Sequence, residues 1–167
     1  MKNILKTIMA VTLIVICQSI FATTAGDTES PAVQFLESNR KAKKLEGAML
    51  RIARPILKKT PMAVVMDNID MMIICSLEEE DEAFIQNAER ALKNYTLAGE
   101  INEEDSVMAI YIDEPRGEHF SELILYTRKP DMAIMVFHGH FTIDELKLIG
   151  ERSEEQRRQR RQAAYDR

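Results

Sequence analysis

The chain of 167 residues has no tryptophan, two cysteines, three histidines, six glycines and five prolines. Each scarcity removes a class of protein. Six glycines, none of them grouped, leave no loop able to cradle a phosphate or a dinucleotide. No G-x-S-x-G elbow presents a nucleophilic serine. Acidic pairs are common, but they fall in turns without aromatic neighbours, which argues against a glycosidase-type carboxylate pair. Cys17 lies in an N-terminal leader, so Cys75 stands alone and no internal disulfide can form. Stability must then come from a core. About 145 residues outside the leader can supply one, as a single domain.

The leader has Lys2 and Lys6, an apolar run from Ile8 to Cys17 broken only by Thr12, and then small and polar residues as far as Ala25. This order predicts a secretory signal peptide over residues 1–22, with cleavage after Ala22 or Ala25. The run is shorter than the roughly 20 apolar residues of a spanning helix, so no transmembrane helix is expected in the mature chain. A lipid anchor on Cys17 is disfavoured because Ile16, not a small residue, precedes it. Cleavage removes two lysines and no acid, making the net charge of −5 two units more negative. An exported protein, periplasmic or extracellular, is the expectation, with no nucleic-acid partner.

Residues 23–31 are small and polar and read as a flexible lead-in. The domain is expected over 32–150. Leu45, Met49, Ile52 and Ile56 recur at helical spacing, predicting one interrupted helix or two shorter ones between Ala32 and Lys59, with Pro55 as a kink or a new start. The basic residues opposite read as a solvated face. Residues 69–77 (IDMMIICSL) are almost wholly apolar, predicting a strand covered on both faces, with Cys75 as a small buried hydrophobe. The acidic run from Glu78 to Glu82 lacks the pattern of a calcium loop and suits the positive end of a helix over about 80–94. A short strand follows over 95–101.

From Val107 to Phe141 three strands succeed one another (107–112, 120–127 and 132–141), joined by turns rich in Pro, Gly and Asp. The strands are apolar on both faces. Either helices cover both sides of the sheet, or one side packs against another copy. Thr142 and Glu145 form a capping box that starts a last helix through Leu146, Leu148 and Ile149. Residues 151–167 hold six arginines, four acids and almost nothing apolar, and predict a solvent-exposed helix or a disordered tail. The fold class is therefore α+β: an antiparallel sheet of about five strands, ending in the meander, with about three helices.

The candidate chemistry rests on the histidines. His138 and His140 share one face of a strand, and pairing through the RKPD turn places residue 138 opposite roughly 121, close to His119. Three imidazoles on one face suit zinc, with Glu118 or Glu122 in support. A metal-binding protein or metal-dependent hydrolase using His119, His138 and His140 is one functional reading. A closed site needs four ligands, however, and Gly139 between two of them reads as backbone accommodation. The other reading, which has no cofactor, is a non-enzymatic binding or assembly module, with an unknown protein partner or self-association through a sheet face.

The segment from Tyr95 to Leu148 resembles the small exported proteins of Gram-negative bacteria grouped as domain-of-unknown-function family 4252. The likeness rests on several features: Tyr95 and Leu97 after a helix, an acidic turn, the strand 107–112, Gly117, Glu122 with Leu-Ile-Leu after it, Gly139, and Ile143, Asp144 and Leu146 at a helix start. The strand 69–77 before the Phe84 helix fits too. The resemblance implies an exported α+β protein, often lipid-anchored or periplasmic, with no assigned activity and no histidine pair in its pattern. The poor setting of Cys17 departs from the lipoprotein members.

Overall fold

The computed structural model describes residues 30–58, 60–77, 81–103, 106–128 and 132–165. The leader, most of the lead-in and Cys17 lie outside these residues, as do Glu78–Glu80 of the acidic run. Among the described residues four α-helices, α1 (Pro31–Glu37), α2 (Gly47–Leu57), α3 (Glu82–Leu92) and α4 (Ile143–Tyr165), pack on six strands. The strands are β1 (Lys43–Glu46), β2 (Ile69–Leu77), β3 (Thr96–Glu103), β4 (Ser106–Ile112), β5 (His119–Thr127) and β6 (Met132–Thr142). They form one antiparallel sheet in the order β1-β2-β6-β5-β4-β3. The class is α+β as expected, with one strand and one helix more than the sequence suggested. No helix among the described residues is long and apolar enough to cross a membrane.

The additional strand, β1, lies where helical spacing was read. The first helix ends at Glu37, and Asn39 then turns the chain by accepting the Lys41 N–H on its Oδ1 at 2.9 Å. After β1, Gly47 takes a positive φ of 50°, which resets the phase of the chain before α2. The spacing from Leu45 to Ile56 therefore runs across a junction. Leu45 is buried from the strand, while α2 buries Leu50, Ala53 and Leu57. Ile52, assigned to the buried face by spacing, is 56% exposed. Pro55 sits in the last turn of α2, which stops two residues later. Two short 3-10 turns, Pro61–Val64 and Met66–Asn68, lead into β2.

Both faces of the sheet are covered by the chain's own helices, and this is why the strands do not alternate. On one face Leu50, Ala53, Leu57, Met62, Val65, Met66 and Ile149 meet Met72, Ile110, Leu123, Phe137 and Phe141. On the other, α1 and α3 bring Ala32, Val33, Leu36, Phe84, Ala88 and Leu92 onto Ile73, Cys75, Ile124, Tyr126, Ile134 and Val136. Asp81 caps α3 by accepting the Phe84 N–H at 3.0 Å. The capping box at α4 forms as read. The Glu145 carboxylate accepts the Thr142 N–H at 2.8 Å, and Thr142 Oγ1 accepts the Glu145 N–H at 3.2 Å. Asn68 donates to the second Glu145 oxygen at 2.7 Å, tying the helix start to the entry of β2. Of the three residues assigned to the buried side of α4, Ile149 is buried, Leu146 is partly so, and Leu148 is 46% exposed.

Candidate functional site

Polar side chains gather at the end of the sheet where β4 turns into β5. Asp113, just past β4, accepts the Ser121 N–H at 2.9 Å and the Glu122 N–H at 2.8 Å on Oδ1, and the Ser121 hydroxyl at 2.6 Å on Oδ2. These bonds fix an irregularity in the β5–β6 register between Phe120 and Glu122. Its effect is a change of phase. Phe120 enters the core beneath α2 and α4, while Glu122 turns to the face covered by α1 and α3.

Glu122 is a carboxylate only 5% exposed within an otherwise apolar strand. Burial of that kind requires a donor. Tyr95, between α3 and β3, supplies it, donating its hydroxyl to Glu122 Oε2 at 2.6 Å. Burial and this bond to a carboxylate push the Tyr95 hydroxyl well above its ordinary range, with Ser30 and the backbone of Ala32 pulling the other way. The pair therefore links α3, β5 and the start of α1. In the sequence the signal was present, since Glu122 is the only charged residue between Phe120 and Thr127, but it was read there only as support for the histidines.

The three histidines occupy different surroundings. His138 lies opposite Glu122 on β5 and Met71 on β2, and is partly buried. Its partner position is within one residue of the expected one. His119 lies opposite Thr142 and is exposed. His140 is almost fully exposed, 3.8 Å from Asp70. Among the described residues no group of three or more His, Cys, Asp or Glu side chains converges as a metal-binding set would. Gly139 has a packing role. A Cβ there would stand 2.0 Å from the Asn68 carbonyl oxygen, so the close approach of the chain before β2 requires glycine. Cys75 is fully buried and free, and burial pushes its thiol up, partly offset by Lys41. It is a core residue, as read.

A surface groove of about 620 Å³ runs between α1 and the length of α3. Phe35 and Phe84, with ring centroids 5.0 Å apart, form its floor. Its rim carries Asn39, Asp81, Asn87 and Arg90, and Arg90 donates to Asn87 Oδ1 at 3.1 Å. The groove thus sets amide and charged groups above an aromatic floor. Sequence spacing placed Phe84 in a helix but gave no means of bringing Phe35 to it.

Residues 37–149 match the family model described as a domain of unknown function, DUF4252. The chain belongs to this family. No curated protein and no solved structure matches it. The DUF4252 region runs from the last residue of α1 to the seventh residue of α4. It includes Tyr95, Asp113, Glu122 and all three histidines. Most of α1, with one wall of the groove, precedes it.

Proposed function

We propose that this DUF4252 protein is an exported envelope protein that works by binding or assembly rather than by catalysis. The observation that carries the reading is the groove between α1 and α3, where aromatic and amide side chains meet at the surface. The polar residues inside the fold support it, because their bonds are spent on structure. Asp113 holds a strand irregularity, Glu122 holds Tyr95, and Glu145 holds a helix start. The leader supports export.

The test is photo-crosslinking in the native envelope, with a photoreactive residue at Asn39 or Asn87 in the groove and at Ile52 on the opposite face. A discrete adduct from both groove positions, with none from Ile52, is expected. Adducts from neither groove position, in protein shown to be folded, would sink the reading. The intact mass of the recovered protein checks export: it should lack the first 22 or 25 residues.

A further inference from the structure

The two edges of the sheet are built differently. The edge at β1 is four residues long, opens with two lysines, and passes directly into α2. Lys44 is held there between Glu37 at 2.8 Å and Glu46 at 2.9 Å. A short, charged edge of this kind resists further pairing. The edge at β3 is eight residues long and, among the described residues, pairs only with β4. Of the four large apolar residues exposed among the described residues, two lie here, Leu97 at 49% and Val107 on β4 at 38%.

The register gives the pattern on this edge. Leu97 lies opposite Tyr111, and after an irregularity at Leu97/Gly99, Glu100 lies opposite Ala109 and Asn102 opposite Val107. Leu97 and Glu100 therefore share one face, two positions apart on the β4 ladder. The strand sequence from Thr96 to Glu103 has two acids, Glu100 and Glu103, and no basic residue. Such an edge opposes a second copy of itself by like-charge repulsion and favours a basic strand.

From this edge we infer that β3 receives an extended segment of another protein as a seventh strand, with an apolar and a basic side chain alternating along one face. Main-chain hydrogen bonds to the open side of β3 supply the affinity. The apolar side chain covers Leu97, and the basic one meets Glu100. The edge lies apart from the groove between α1 and α3, so it can hold whether or not the groove binds.

The probe is the capped peptide threonine-valine-threonine-lysine-threonine-valine-threonine, titrated into the labelled protein and followed by amide NMR. Two further peptides and one variant serve as comparators: a peptide with glutamate for lysine, a peptide with prolines flanking the lysine, and the Glu100→Lys protein tested with both the lysine and the glutamate peptide. Shifts and slowed exchange confined to β3 and the neighbouring β4 amides are expected. The glutamate peptide should bind about threefold to tenfold more weakly, the size of one exposed charge pair changed from attraction to repulsion. The Glu100→Lys protein should reverse that preference, and the proline peptide should not bind. Shifts at β1 or in the groove alone, equal binding of the proline peptide, or no shift at β3 would each overturn the proposal. So would protection of β3 that rises with protein concentration in the absence of peptide, which would assign the edge to a second copy.

Discussion

The edges at β1 and β3 face the same physical problem, a row of backbone groups with no further strand beside them among the described residues. At β1 the chain solves it by brevity. Leu45 is driven into the core, two lysines precede it, and Gly47 turns the chain away into a helix. At β3 a strand twice as long keeps an exposed leucine and a carboxylate on the same face. The contrast separates residues that close the fold from residues that are free to serve something outside it. Substitutions at the two edges should therefore differ in kind: stability at β1, association at β3.

The most damaging way to break the comparison is Gly139→Ala on the closed side. The added methyl would collide with the Asn68 backbone, which has no flexible end to move aside. A loss above about 4 kcal/mol, or failure to recover folded protein, is expected in denaturant unfolding. Leu45→Ala comes next, at about 2–4 kcal/mol for a leucine 2% exposed. Tyr95→Phe loosens the approach to β3 by leaving the buried Glu122 carboxylate without its donor, costing about 1–3 kcal/mol. Hydrogen exchange should then quicken at β3 and β4 and stay unchanged at β1.

The same tyrosine gives the protein an alkaline limit. Its folded pKa is raised above the unfolded value of 10.0, so the unfolded chain loses its proton first. The stabilisation is complete below that pH and is lost as pH rises toward the folded pKa, by at most about 1.4 kcal/mol per pH unit for one proton. Unfolding melts between pH 9 and pH 11 should show this slope in the natural protein and a shallower one in Tyr95→Phe. The smallest effect is expected at the open edge. Leu97→Ala should change stability by less than about 0.5 kcal/mol while weakening capture of an added strand.

Much of the fold was legible because local chemistry and tertiary packing agree. Asp81 and Thr142 start helices as their types require, and residues 69–77 read as a doubly covered strand because only Asp70 and Ser76 interrupt an apolar run. The segment from Ala32 to Lys59 was misread for a physical reason. Leu45 fits a helical period with Met49 by coincidence, and only the positive φ at Gly47 separates strand from helix. The site was less legible. His138 lies opposite Glu122, one residue from the partner that pairing through the turn suggests, but the irregularities at Ile69/Met71 and Phe120/Glu122 set the surroundings of His119, His138 and His140. Neither irregularity announces itself in a single sequence. The Phe35–Phe84 floor depends on two helices separated by two strands and a third helix, a contact that no periodicity encodes.

Hydrogen–deuterium exchange on the protein with the lysine peptide bound, set against the same protein alone, tests the contrast between the edges most directly. The account predicts slower exchange in the bound state over residues 96–103, with residues 43–46 the same in both. Equal exchange at β3 in the two states, or protection gained at β1 as much as at β3, would contradict it.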